Sequence, residues 1–357
     1  MIVQQLSARN FRGYERVELS IGERVTVVTG DNGAGKTNLL EALFFGCVGR
    51  SCRTRVDAQT IRFDQPVARV EVNGLEQMER HELAVAIDRQ EGKTYFADGA
   101  KVDGLEAFEW RPPTTVFMPD RLELIKGAPG ARRAHLDQFV AALWPARRQN
   151  RRSYAEALAQ RNALLARGAT PAQMDTWDHE LARHGLALIA DRRSAIETIE
   201  SAFEMIGEEL GLVGSPDIRY RTVSEVEDVE DFVDQLRQRH DSDINRGFTT
   251  FGPHRDEVVL RNEAREVRTY GSQGQQRLTL LSLLLAECEA ITSLTSRRPL
   301  ILLDDVMSEL DATRRALLVD RVCTLGQVLV TATEVEHVPD HSAIDRVIAV
   351  KDGAVVG

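Results

Sequence analysis

The sequence predicts an α/β protein in which the two ends of the chain make one nucleotide-binding body and the middle forms a helical insertion. Three observations predict it. A glycine loop suited to cradling phosphate lies near the start, at "GDNGAGKT" (30–37). An apolar run ending in two carboxylates, "LILLDD" (300–305), lies near the end. Between them, from 131 to 211, β-branched residues thin out and Ala, Leu, Arg and Glu dominate, the composition of helices.

Taken in order, "RVTVVTG" (24–30) is a β-branched strand ending in glycine, and "TNLLEALFFGCVG" (37–49) has apolar residues at helical spacing. "VARVEVNG" (67–74) and "HELAVAIDR" (81–89) alternate like half-buried antiparallel strands. The middle holds three helices, "RRAHLDQFVAALW", "RRSYAEALAQRNALLA" and "TWDHELARHGLALIADRRSAIETIESAFEMIGEEL", broken at Pro145 and at "RGATP" (167–171). The third is long and amphipathic, and so reads as an arm. From 246 the mixed pattern returns, with strands at "DEVVLR", "LILLDD" and "GQVLVTAT" and a helix at "GQQRLTLLSLLLAECEAIT". Ser272 followed three residues later by Gln275 predicts a capping box at the start of that helix. The expected divisions are 1–125, 126–245 and 246–357.

Bulk properties narrow the function. The chain has 357 residues, enough for about two domains. A net charge of −10 argues against a surface coated for nucleic acid, though not against a basic stripe on one face. There is no apolar run of about 18 residues to suit a membrane, and "MIVQQLSARNFRGY" lacks the pattern of a signal peptide. Cys47, Cys52, Cys288 and Cys323 show no CxxC spacing, so neither zinc nor a disulfide framework is expected. Reduced thiols and a cytoplasmic location are.

The chemistry starts at the glycine loop. Gly30, Gly33 and Gly35 let the backbone curl so that amides face inward, towards phosphate oxygens at the start of a helix. The expected nucleotide contacts are Gly30, Asp31, Asn32, Gly33, Ala34, Gly35, Lys36, Thr37 and Asn38. Lys36 reaches the β- and γ-phosphates, and the Thr37 hydroxyl ligates Mg²⁺. Asp304 and Asp305 end a strand at the edge where open α/β sheets bind ligands. Asp304 is assigned to Mg²⁺ and Asp305 to polarising the attacking water. ATP and Mg²⁺ are the expected cofactors, with Lys36 and Asp305 as catalytic residues. The long separation of Lys36 from Asp304 is that of a split head, two lobes of one ATPase with an arm between.

Four stretches, in order along the chain, resemble the RecF family, the head-only relatives of SMC and Rad50 proteins. They are "ARNFRGY" (8–14), "GDNGAGKTNLLEAL", "FGPHRDEVVL" (251–260) with "SQGQQRLTLLSLLLAE", and "LLDDVMSELDATR". The resemblance implies an ABC-type P-loop ATPase head made of N- and C-terminal lobes with an inserted helical arm. It implies weak, DNA-stimulated ATP hydrolysis, ATP-dependent homodimers, binding to double-stranded DNA or a single-strand junction, and partnership with a RecR-like recombination mediator in repair and replication restart. Ser272, Gln273, Gly274 and Gln275 are similar to the ABC motif, which caps the γ-phosphate held by the other protomer; Gln273 departs from the ABC pattern but suits the RecF family. "SELD" (308–311) resembles the D-loop at the dimer interface, with Asp311. The resemblance adds Arg12 and Arg53 to the nucleotide contacts. It places Asp120, a metal ligand, where SMC heads carry a glutamine, and Thr333 at the switch position, where no histidine is in register.

Two basic clusters, Arg132 with Arg133 and Arg147, Arg148, Arg151 and Arg152, are the expected phosphate contacts on DNA, with no base-reading module in sight. Arg161 and Arg167 lie beyond. His254 and Arg255 suit an interface, an arm root or a DNA contact. Two other functions share part of the pattern. A transporter ATPase would lack the long helical insertion, and a small-molecule kinase would need no Ser-Gln-Gly-Gln motif.

Overall fold

A computed structural model describes residues 1–118, 122–339, 341–351 and 353–356. The chain opens with β1 (Ile2–Phe11) and β2 (Tyr14–Ser20), then β3 (Val25–Thr29), a β-branched run whose first four residues are buried. The loop after β3 leads into α1 (Lys36–Val48), buried on nearly every side. Next come β4 (Val67–Glu76), β5 (Glu79–Asp88), β6 (Gly92–Ala97), β7 (Ala100–Val102) and β8 (Thr114–Phe117). Helices then take over: α2 (Glu123–Lys126), α3 (Pro129–Leu143), α4 (Arg148–Leu165) and α5 (Pro171–Glu209), which runs for 39 residues. A strand, β9 (Asp217–Arg221), precedes α6 (Val229–Gln238) and α7 (His240–Arg246). Then follow β10 (Glu257–Asn262), β11 (Arg265–Glu266), α8 (Val267–Tyr270) and α9 (Gln273–Thr295). The chain closes with β12 (Leu300–Leu303), α10 (Ala312–Leu325), β13 (Gln327–Ala332), β14 (Ile344–Lys351) and β15 (Ala354–Val356).

Among the described residues these elements make three sheets. One is antiparallel, in the order β2-β1-β4-β5-β6-β7, and a second is small, β11-β10-β9. The third, β15-β14-β3-β13-β12-β8, is parallel except for its edge strand β15. Its strands β3, β13 and β12 are buried along almost their whole length, as expected of strands covered on both faces. One core joins α1 to both large sheets, through Phe11, Leu40, Phe45, Val72, Leu83, Val85, Leu302 and Leu329.

The chain divides into two compact units. Unit 1 is Met1–Arg121, Glu209–Gly211 and Ile291–Gly357, and unit 2 is Leu122–Glu208 and Leu212–Ala290. The return to unit 1 thus falls at 291, against an expected boundary at 246. The reason is pairing: β10 runs antiparallel to β9 from Glu257↔Arg221 to Arg261↔Asp217, which ties this stretch to the chain just beyond α5. Unit 2 has its own core of Tyr154, Leu181, Leu188, Phe232, Leu236 and Phe251. α9 is long and apolar enough to cross a bilayer by length and composition, but 72% of its apolar window is buried within the protein, the mark of a core helix.

Candidate functional site

β3 lies between β13 and β14, so the glycine loop leaves from a strand fixed on both sides. Gly30 has φ +148, and a Cβ there would lie 2.2 Å from the Val350 carbonyl oxygen. Gly35, at φ +113, would place a Cβ 2.7 Å from the Tyr14 hydroxyl. Both positions therefore require glycine, for conformation and for space. Tyr14 donates to the Gly35 carbonyl at 3.1 Å. Burial pushes its pKa up to about 12, so it remains a donor at neutral pH. Lys36 donates to the carbonyls of Gly30 (2.6 Å) and Asp31 (3.0 Å), which fold its ammonium back along the loop.

The two far-apart motifs converge. The Thr37 hydroxyl lies 2.9 Å from both carboxylate oxygens of Asp304 and donates to that group. Thr331, at the end of β13, donates to Asp304 Oδ1 at 2.8 Å and accepts from the Asp305 amide at 2.9 Å. Burial raises the pKa of Asp304, and the neighbouring Asp305 adds to that; the two hydroxyls and Arg53 oppose it. A buried carboxylate hydrogen-bonded by neutral hydroxyls is short of positive charge, which fits it to a divalent cation. Thr37 and Asp304 are the residues that would hold one. Asp305 adopts φ +48, unusual for a residue with a side chain, and its carboxylate makes no hydrogen bond among the described residues. Thr333 is the residue expected at the switch position. It is exposed and bonds His337 Nδ1 at 3.1 Å, while Thr331 reaches Asp304. The parallel pairing Leu303↔Val330 is the signal that would have found Thr331, because the next step of that register sets 331 beside 304.

Arg12 and Arg53 meet at a residue the sequence reading missed. Glu41, fully buried on α1, accepts from Arg12 Nε (2.9 Å) and Nη2 (2.7 Å). It also accepts from the Ser51 hydroxyl at 2.6 Å, and Arg53 Nη1 lies 3.4 Å from it. Arg12 Nη1 goes to the Gln59 carbonyl at 2.8 Å, so Arg12 is committed to the protein itself. Arg53 is the more open of the two, with Nη1 also 3.2 Å from Asn38 Oδ1. Asp120 lies outside the described residues.

In unit 2 the capping box is present as expected. The Ser272 amide donates to Gln275 Oε1 at 2.9 Å, and the Gln275 amide donates to Ser272 Oγ at 3.2 Å. Ser272, Gln273 and Gly274 are exposed. Nothing among the described residues explains Gly274: it lacks a positive φ, and a Cβ there would meet nothing nearer than Ser272 Oγ at 3.9 Å. In unit 1, Asp311 caps α10, accepting from the Arg314 amide at 2.9 Å.

The arginines expected to touch DNA separate into two kinds. Arg132 is 7% exposed, pairs with Glu257 at 2.9 Å, and donates to the carbonyls of Leu124, Ile125 and Gly127. It is corrected from a DNA contact to an internal tie, because desolvating a cation is tolerable only where partners surround it. Arg133 is half-buried and donates to the Asp256 carbonyl at 2.6 Å. Arg147 lies over the Trp144 ring and pairs with Asp191 at 3.2 Å. Arg148 is half-buried, whereas Arg151 and Arg152 are 57% and 75% exposed. Arg161 is fully buried between Asp178 (2.7 Å) and Asp243 (2.8 Å), a structural tie among helices. His254 also turns inward. Its Nε2 donates to the Thr249 carbonyl (2.9 Å) and its Nδ1 accepts from Tyr154 Oη (2.6 Å), a neutral tautomer favoured by burial, which lowers its pKa. Arg255 beside it is exposed.

Known proteins share this architecture. The family model for the RecF/RecN/SMC N-terminal domain matches residues 2–355. Curated relatives named DNA replication and repair protein RecF align over their full lengths. The protein from Lachnospira eligens is 32% identical over 100% of this chain and 99% of its own. That from Anaeromyxobacter sp. strain Fw109-5 is 34% identical, with the same coverage, and that from Bacillus subtilis strain 168 is 32% identical over 100% of both. A solved structure of the recombination mediator protein RecF with ATP superposes with a TM-score of 0.88 at 26% identity, covering 99% of this chain and 97% of that one. An Smc head bound to the C-winged helix domain of ScpA superposes with a TM-score of 0.58 at 16% identity, covering 100% of this chain and 98% of that one, a likeness of fold. The fold is thus that of an ABC-type, SMC-like ATPase head. With a family model spanning nearly the whole sequence and relatives above 30% identity aligned end to end, the chain belongs to the RecF family of DNA replication and repair proteins.

Proposed function

We propose that the chain is an ATP-switched DNA clamp acting in the cytoplasm in recombinational repair and replication restart. ATP binds the glycine loop of each protomer, two heads close on one another, DNA is gripped, and slow hydrolysis releases it. The observation that carries the reading is the exposed, glycine-containing start of α9, where Gly274 answers to nothing among the described residues. A small-molecule kinase has no use for such a surface. It suits the close approach of a phosphate held by a second copy.

Within one protomer, loop amides and Lys36 bind the phosphates, and Thr37 with Asp304 holds Mg²⁺, which supplies charge neutralisation on the phosphates when bound. Asp305 orients the attacking water, and Arg53 contacts the nucleotide from the segment after α1. Ser272 to Gln275 and Asp311 complete the site of the partner protomer. The exposed Arg151 and Arg152, with Arg133, Arg147 and Arg148, take DNA phosphates without reading sequence. A RecR-like mediator is the expected protein partner.

The reading is tested by sizing the chain with and without ATP and Mg²⁺. Dimers with ATP are expected, and Ser272→Arg is expected to abolish them while the monomer still binds ATP. A wild-type chain that stays monomeric under saturating ATP would sink the clamp.

A further inference from the structure

Three residues of unit 1, Glu209–Gly211, come from the middle of the chain. They are the last residue of α5 and the two that follow it. Both ends of this short visit meet α10. Arg321 pairs with Glu209. Two helical turns earlier on the same face, Arg314 lies flat against Gly211. A Cβ on Gly211 would sit 2.4 Å from Arg314 Nη2 and 3.0 Å from its Cζ, and Gly211 is held at φ +88. The carbonyl end of a helix carries partial negative charge, so the two arginines sit where electrostatics favours them.

Arg314 also reaches the other way. Its Nη1 lies 3.2 Å from Asp311 Oδ2, and its amide is capped by Asp311 Oδ1 at 2.9 Å. The next residue, Arg315, donates from Nε to the Leu310 carbonyl at 2.9 Å. The first turn of α10 is therefore tied to the loop 308–311, and the face of α10 behind that turn is tied to the end of α5.

We propose that Arg314 is a positioning residue that couples the C-terminal end of α5 to the loop 308–311. A ligand that shifts the arm helix and a partner that engages the loop are then read by one guanidinium. Gly211 is the other half of the device, since any side chain there would push that group away. The inference rests on the dimer reading above, in which the loop faces the partner protomer.

The first measurement needs neither dimer nor nucleotide. Hydrogen exchange of amides 205–212 is compared in the full-length wild type, Arg314→Ala and Asp311→Asn. Asp311→Asn keeps an N-capping oxygen but removes the charge that holds Arg314. Coupling predicts exchange at the end of α5 about fivefold faster or more in both variants, the scale of a modest coupling between sites. A response to Asp311→Asn confined to 308–318 would overturn the proposal. Arg314→Lys keeps a charge for Asp311 but lacks the flat group over Gly211, and so is expected to leave exchange at the end of α5 raised. Gly211→Ala is expected to give the same pattern as Arg314→Ala. The second measurement is the effect of DNA on ATP-dependent dimerisation, which Arg314→Ala should reduce about fivefold or more. An unchanged DNA effect would count against the coupling. A wild type that never dimerises would instead fail the proposed clamp, leaving the exchange experiment to decide the coupling by itself.

Discussion

The glycine loop of unit 1 and the start of α9 in unit 2 both use glycine beside a helix N-terminus, for opposite reasons. At Gly30 and Gly35 the chain itself forbids a side chain, through a neighbouring carbonyl or hydroxyl and a left-handed or extreme backbone. At Gly274 no described residue forbids a side chain; an alanine would fit, and would favour the helix. A glycine that its own fold demands reports internal construction. A glycine that its own fold would rather replace reports something outside the chain.

Substitution separates the two. Gly35→Ala is expected to cause the largest loss, about 100-fold in ATP affinity of the monomer, because strain and the Tyr14 collision deform the loop; titration calorimetry reads it directly. Gly274→Ala should do the reverse to the monomer, stabilising it by about 0.5–1 kcal/mol in denaturant unfolding, while weakening ATP-dependent dimerisation at least tenfold by analytical ultracentrifugation. Equal effects of Gly274→Ala on monomer and dimer would erase the distinction. Asp304→Asn should abolish Mg²⁺-dependent hydrolysis yet raise the melting temperature of the nucleotide-free protein. Its raised pKa means that the fold favours the protonated form, so the charge weakens the fold at any pH above the folded value.

A smaller effect tests the interior of unit 2. Burial lowers the pKa of His254, so its contribution to stability is present above its ordinary value near 6.5 and fades as pH falls through the lower, folded value. The stability gap between wild type and His254→Gln should therefore narrow as pH is lowered from 7 to 5, followed by thermal unfolding at each pH. Last, removing Arg151 and Arg152 together should weaken DNA binding and reduce its salt slope by roughly 1–2, about 0.9 for each phosphate left without its arginine. The same change at Arg132 should instead destabilise the fold, since the half-buried Glu257 would lose its ion-pair partner and the carbonyls of Leu124, Ile125 and Gly127 their donor.

What the sequence made legible was local. The glycine loop, the capping box of Ser272 and Gln275, and the three long helices depend on neighbours within a few residues, and all are present. What it hid depends on partners far along the chain. Arg132 reads as half of a basic pair until Glu257, 125 residues away, is set beside it. Glu41 reads as an ordinary helical acid until Arg12 and Arg53 converge on it. The membership of residues 257–261 in unit 2 was hidden for the same reason, because it shows only once β10 is paired with β9 and Glu257 with Arg132.

The placement of β3 has a consequence for how the protein is made. Val25 pairs with Val328 on one side and Ile344 on the other. A ribosome adding about 5–20 residues per second needs roughly 15–60 seconds to travel from the first of these to its neighbours. Throughout that interval the strand that feeds the phosphate loop has no partner in the parallel sheet, and the nascent chain exposes a β-branched edge. The nucleotide site is therefore a late product of synthesis, assembled only when the last strands emerge. A chain cut short before β13 could carry the whole glycine motif and still bind no nucleotide.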